Sequence, residues 1–255
     1  MNLHRTLKRI RPSTDKTSDA TALARLRADE ARADERAQPT SPRRSDVTLA
    51  SVFRAFWRHP SPWMISGTLV TVLACRIVLG DWRTDDAYAP LILILLFPLL
   101  EWLIHVFVLH WRPRKVAGVV LDTLLARKHR EHHVDPRDIP LVFIPWRTLV
   151  RVIAGYNTVA LIAFPRLGQA LTFMVTVAVT GFLYEWAHYL IHSDYRPRSS
   201  AYKAIWRNHR LHHYKNEHYW FTVTTTASAD RLLGTYPDPA TVRTSPTAKN
   251  LHGTA

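Results

Sequence analysis

Residues 168–192 read GQALTFMVTVAVTGFLYEWAHYLIH, seventeen residues without a formal charge followed by Glu185, His188 and His192. At a 1.5 Å rise, a helix over 168–191 is about 36 Å long, enough to cross a hydrocarbon layer about 30 Å thick. Its last two turns carry Glu185, His188 and His192 at i, i+3 and i+7, one helical face. Ionisable groups are costly in lipid and mark functional positions there.

Three more apolar stretches precede it, at 62–80, 87–109 and 148–164. The polar interruptions Arg76 and Arg151 lie near stretch ends, where long side chains snorkel. The stretch 148–164 is the shortest and contains Arg151 and Asn157. Residues 1–61 hold 13 Lys/Arg, 111–147 hold 8 and 193–255 hold 9, whereas the links 81–86 and 165–167 hold one each. The positive-inside rule then puts both termini and the middle loop in the cytoplasm. The net charge of +14 follows lipid-facing loops rather than a nucleic-acid surface, and no nucleic-acid partner is expected. The single cysteine, Cys75, excludes an intrachain disulfide.

With this topology the second and fourth helices both run toward the cytoplasm. They deliver His105 with His110, and His188 with His192, to the face that also receives His129, His132 and His133 and then His209, His212 and His213. A re-entrant hairpin of the third and fourth stretches preserves the same placement. Each trio has i, i+3, i+4 spacing and aims its imidazoles at one volume. His105 and His110 lie roughly 140° apart on an ideal helix, so one is expected past the helix end, before Pro113. Ten clustered imidazoles match the needs of two metal ions. Glu101, Tyr184 and Glu185 lie close in sequence to these histidines. A carboxylate there either accepts from a metal-bound imidazole or pairs with an arginine. His218 is a further candidate for the same site, while His4, His59 and His252 are assigned no role.

Residues 116–133 and 201–213 read as amphipathic helices at the headgroup level with their histidines turned inward. Residues 140–145 read as a connecting loop. Iron–sulfur and most structural zinc sites need cysteine clusters, and the metalloprotease motif His-Glu-x-x-His does not occur. A zinc-transport or other non-catalytic membrane metal protein is the reading of another class. Transporters keep their ligands near the midplane, whereas these collect at one end.

The ordered set His105-x4-His110, His129-x2-His132-His133, His188-x3-His192 and His209-x2-His212-His213 resembles the fatty acid hydroxylase (sterol desaturase-like) superfamily of integral-membrane di-metal oxygenases. The x4 pair followed nineteen residues later by the first trio is most similar to the fatty acid 2-hydroxylase branch. The resemblance covers about residues 60–238. It implies an all-α integral membrane protein of about four transmembrane helices, with a cytoplasmic helical cap holding the ten histidines around two iron ions. Zinc is the alternative metal, because imidazole suits both. It further implies O2 as co-substrate, a membrane lipid as substrate, and electrons from a cytochrome b5-like protein or a ferredoxin with its reductase. The activity implied is hydroxylation of an aliphatic C–H bond of a fatty acyl lipid, with desaturation or sterol or carotenoid oxidation on the same scaffold as the alternative. Some 2-hydroxylases carry a fused cytochrome b5 domain. Residues 1–60 are too short and polar for one, so a separate reductant is expected. The domain organisation expected is a disordered charged tail over 1–48, a membrane-embedded catalytic domain over 49–238 and a mobile tail over 239–255.

Overall fold

The computed structural model describes residues 47–252, so nearly all of the expected charged tail at 1–48 lies outside the described residues. Helix α1 (Leu49–Phe56) opens on a capping box in which the Thr48 side chain accepts from Ser51 N and the Ser51 side chain accepts from Thr48 N. The helix buries Val52 and Phe56 against Phe143, Tyr189 and Leu190. Phe56 lies edge-on to Phe182 and Trp186, with ring centroids 5.7 and 5.1 Å away, and the Tyr189 hydroxyl donates to Val52 O at 3.3 Å.

Four segments are long and apolar enough to cross a membrane: Pro60–Leu79, Thr84–Leu109, Ile139–Ala163 and Leu167–His192. The first is α2 (Pro60–Leu79), started by Pro60 at a position where the missing N–H costs nothing. The second is a 3-10 turn, then α3 (Tyr88–Ile104), then one π-helical turn over His105–Leu109. The third combines a single turn, α5 (Ile139–Val142), with α6 (Trp146–Ala163). This explains why 148–164 looked short: the span begins earlier, and part of the expected loop at 140–145 is helical, with Pro140 in its first turn. The fourth is α7 (Leu167–His192), which packs against α2, α3 and α6. Small residues let it approach closely, as where Ala160 of α6 meets Ala170, Leu171 and Met174. The outer faces stay apolar and uncovered, as at Val78 (86% exposed), Leu95 (78%) and Ile162 (80%). So much contiguous exposed hydrocarbon marks a lipid-facing surface.

At the end of α3 and α7 remote from the histidines, Arg76 does not snorkel. It is buried and pairs with Asp86 at 2.6 Å, donates to Thr172 Oγ1 at 2.8 Å and to the Gly80 carbonyl, and lies 3.6 Å above the Trp82 ring. Arg166 reaches Asp81, Asp85 and Asp86 at 2.8, 3.0 and 3.0 Å, which closes the two short links over each other. A cation this close to the hydrocarbon is stable only when its donors are matched in this way.

The remaining elements form a cap on the histidine end. The expected helix from Val116 is instead an antiparallel hairpin, β1 (Arg114–Val116) and β2 (Val119–Leu121), turned by Ala117 (φ 49°) and Gly118 (φ 83°). Adjacent positive φ values make the tight turn that matches strand twist, and the β-branched valines favour extended backbone. Helix α4 (Leu124–Val134) starts only where Thr123 caps Ala126 N, and α8 (Ser200–Tyr214) where Ser199 caps Tyr202 N. A short α9 (Ser228–Leu232) follows. Residues 240–252, where a mobile tail was expected, fold back on the cap and bury Ala248 and Leu251.

Candidate metal centre

The ten clustered histidines come together as two interleaved nests. His105, His110, His129, His133 and His212 form the first; His132, His188, His192, His209 and His213 form the second. Within each nest, one ring nitrogen from every histidine lies within 4.8 Å of all the others. Helix α4 sends His129 and His133 to the first nest and His132 to the second. Helix α8 splits the other way, sending His212 to the first and His209 and His213 to the second. This sharing brings the nests side by side, with the His133 and His213 rings 4.2 Å apart.

The π turn reconciles the awkward x4 spacing. His110 N donates to His105 O at 3.0 Å, an i→i+5 bond that stacks residues five apart, and the two rings meet at 5.0 Å.

Main-chain carbonyls orient the rings. His105 Nδ1 bonds Phe221 O at 2.5 Å, His212 Nδ1 bonds Tyr219 O at 2.8 Å, His133 Nδ1 bonds Ala248 O at 2.9 Å and His188 Nδ1 bonds Val142 O at 3.0 Å. Each carbonyl fixes a proton on Nδ1 and leaves Nε2 a lone pair aimed into the nest. Seven of the ten rings carry a buried nitrogen without a partner among the described residues: His105, His129, His132, His133, His188, His209 and His213. Other ring nitrogens face one another, as in His209–His192 at 2.9 Å and His212–His110 at 3.2 Å. The partnerless atom is Nε2 in His105, His129, His133 and His188, and a cation in each nest would meet those lone pairs and relieve the repulsion between the facing nitrogens. Burial, reinforced by neighbouring imidazoles, holds His110, His129, His132, His133, His209 and His213 well below the ordinary histidine pKa. Burial takes His212 down to about 4, opposed in part by the Tyr219 carbonyl. Neutral imidazole is the form that ligates a metal. Ten such donors and no carboxylate fit a pair of transition-metal ions and disfavour magnesium or calcium.

Glu101 and Glu185 bond main-chain N–H groups and hydroxyls rather than an imidazole or an arginine, and so hold the loops that supply the carbonyls. Glu101 Oε1 accepts from Val223 N (2.6 Å) and Thr224 N (2.8 Å), and Oε2 from the Thr224 hydroxyl (2.9 Å), next to the Phe221 carbonyl that holds His105. Glu185 accepts from Ile144 N at 3.2 Å and from the Ser61 hydroxyl, beside the Val142 carbonyl that holds His188. In each case a carboxylate about one turn before a histidine anchors the loop on which that histidine leans. Tyr184 touches the His188 ring, centroid to centroid 5.8 Å. The His218 side chain is 71% exposed and stands outside both nests beside Glu217.

Three contributors had no sequence signal. Asp230, fully buried, accepts from Phe221 N, Thr222 N and the Thr222 hydroxyl and so braces the same loop. Ala248 acts through its carbonyl alone. His252, dismissed as a tail residue, places Nε2 3.0 Å from His110 O. A cavity of about 270 Å³ opens beside His110, walled in part by Val106, Arg112, Phe221, Thr247 and Leu251.

The fatty acid hydroxylase family model matches residues 90–235. Dihydroceramide fatty acyl 2-hydroxylase FAH2 of Arabidopsis thaliana is 26% identical over 145 residues, covering 56% of this chain and 58% of that protein. Dihydroceramide fatty acyl 2-hydroxylase FAH1 of the same plant is 27% identical over 195 residues, covering 76% and 78%. A solved structure of full-length scs7p, with only its hydroxylase domain visible, shares the fold at a TM-score of 0.57 and 19% identity, over 74% of this chain and 69% of that one.

Proposed function

This chain belongs to the fatty acid hydroxylase family, and on that premise we propose that it hydroxylates an aliphatic carbon of a fatty acyl lipid, carbon 2 of the acyl chain being the position the relatives' names suggest. The overall reaction places one atom of O2 in the lipid and the other in water, and it consumes two electrons and two protons. The electrons come from a separate cytochrome b5-like protein or a ferredoxin with its reductase. The ten histidines of the two nests are the ligands, five to each ion. Iron is the proposed metal and zinc the alternative that the same nitrogens accept. When bound, the pair supplies the O2 activation that cleaving an unactivated C–H bond requires.

The chain's own residues do the rest. The carbonyls of Phe221, Tyr219, Ala248 and Val142 fix ring orientation and tautomer, so the donors are in place before any ion arrives. Burial of the cap histidines keeps water away and keeps the rings neutral. The cavity beside His110 gives the first nest an opening where apolar Val106, Phe221 and Leu251 meet polar Arg112 and Thr247, a lining suited to the junction of an acyl chain and its polar head. The excess of Lys/Arg in the loops supports a cytoplasmic side for the site and both termini in this reading, within reach of a separate reductant.

The observation that carries this reading is the pair of buried five-imidazole nests at one end of four membrane-length helices. The test compares lipid extracts of cells expressing the wild-type chain, His132→Ala or His212→Ala. A lipid heavier by one oxygen is expected only with the wild-type chain, while both variants still reach the membrane. Loss of two hydrogens instead would mean desaturation, and unchanged lipids in all three would refute the proposal.

A further inference from the structure

After α9 the chain crosses back over the cap and is fastened at the C-terminal end of α8. Ser245 N donates to Lys215 O at 2.7 Å, and Asn216 Nδ2 donates to Arg243 O at 3.3 Å. Next to these ties sits Glu217, only 2% exposed. Its Oε1 accepts from the Ser245 hydroxyl at 3.0 Å and from the Thr247 hydroxyl at 2.5 Å. One residue beyond Thr247, the Ala248 carbonyl receives His133 Nδ1, and four residues further His252 reaches the His110 carbonyl. Both of those histidines belong to the first nest. Thr247 and Leu251 also form part of the cavity wall beside His110.

These contacts form one chain of cause. A ring whose Nδ1 loses its acceptor is free to take the other tautomer or to rotate, and then no longer presents Nε2 inward. The acceptor for His133 comes from a segment without secondary structure, whose position depends on its fastenings. Glu217 is the side chain that makes two of them. Both hydroxyls converge on its one buried oxygen, so a single acceptor at this position ties the strap at two points.

We propose that Glu217 is a positioning residue. It latches residues 245–252 across the cap as a strap that completes the first nest at His133 and His110, while the second nest owes the strap nothing. This rests on the proposal that the histidines are metal ligands. The strap's fastening is also measurable without any metal.

The test uses the full chain in detergent. Cobalt(II) is titrated as the spectroscopic probe into wild type, Glu217→Ala and Glu217→Gln. Each is also placed in a His188→Ala background, which cripples the second nest, and in a His105→Ala background, which cripples the first. Glu217→Ala should weaken the site surviving in His188→Ala by about 10–100-fold, the usual cost of losing a group behind a ligand. It should leave the site surviving in His105→Ala unchanged. Glu217→Gln keeps an oxygen acceptor for both hydroxyls and should stay close to wild type. Amide hydrogen exchange on the same metal-free proteins should show 245–252 opening in Glu217→Ala and remaining protected in Glu217→Gln. Equal weakening of both nests, or wild-type affinity and protection in Glu217→Ala, would overturn the latch. A wild-type chain that binds no cobalt while its strap opens as described in Glu217→Ala would instead sink the ligand assignment and leave the fastening standing.

Discussion

Replacing Glu101 by alanine tests whether the loops behind the histidines are held by carboxylates. In the folded chain Glu101 is buried and receives the N–H groups of Val223 and Thr224 and the Thr224 hydroxyl. Alanine strands one buried and one half-buried main-chain donor, each costing about 1–3 kcal/mol, and removes a charge-assisted bond to the hydroxyl. About 4 kcal/mol is therefore lost, a large share of the roughly 5–15 kcal/mol that holds a domain together. At roughly 2–4 °C per kcal/mol for a chain of this size, the melting temperature should fall by about 8–16 °C. Glutamine keeps an oxygen for both N–H groups, and its amide lets the Thr224 hydroxyl turn round and accept, so about 1 kcal/mol is expected. The Phe221 carbonyl moves with the loop, and His105 loses its acceptor. Metal content should then fall from two ions per chain toward one in Glu101→Ala, with the loss confined to the first nest. The assays are thermal unfolding in detergent and elemental analysis of the same samples. A Glu101→Ala chain that melts within about 2 °C of wild type and keeps two ions would show that the loop stands without the carboxylate.

Glu185→Ala should produce the mirror result, since Ile144 N and the Ser61 hydroxyl lose their acceptor beside the Val142 carbonyl; elemental analysis should show metal falling below the single ion kept by a His105→Ala chain when the two changes are combined. At the far end of the helices, Asp86→Ala leaves Arg76 buried without its counter-ion and should cost about 3–5 kcal/mol. The double change Arg76→Met/Asp86→Ala should recover much of that in thermal melts, with metal content unaffected by either. Acidification acts on the cap through histidines that stay neutral when folded. Their folded pKa is depressed, so the unfolded chain binds more protons below about 6.5 and the metal-free cap keeps its full stability only above that value. For His212, held down to about 4, roughly 3 kcal/mol should drain away between pH 6.5 and 4, seen as a falling melting temperature of chelator-treated protein. A melting temperature that rose on acidification would contradict the neutral state of these rings.

Much of this molecule was legible in one dimension because the relevant signals are local. Length and hydropathy located the membrane-length helices, since a helix in lipid satisfies its backbone internally and needs apolar side chains along its whole length. The span boundary furthest misjudged was that of the third, where Pro140 and Pro145 suggested a loop although the first of them suits an initial helical turn. The hairpin at 114–121 was missed because Val119, Val120 and Leu121 read as the apolar side of a helix, while Ala117-Gly118 is a weak turn signal. Arg76 was expected to reach water; its partner Asp86 lies only ten residues away, but their pairing depends on how α2 meets the turn before α3.

The amino-acid order alone determined that ten imidazoles arrive at one end of a bundle of four membrane-length helices, because spacings of three and four residues fix a helical face and the parity of crossings fixes the side. Which histidine joins which nest was decided only by how α4 sits against the His105–His110 turn and α8 against α7, where neighbours such as His132 and His133 part company. The groups behind the rings belong to tertiary structure as well. They are main-chain carbonyls of Val142, Tyr219, Phe221 and Ala248, and every residue has a carbonyl, so no residue type announces the one that will accept.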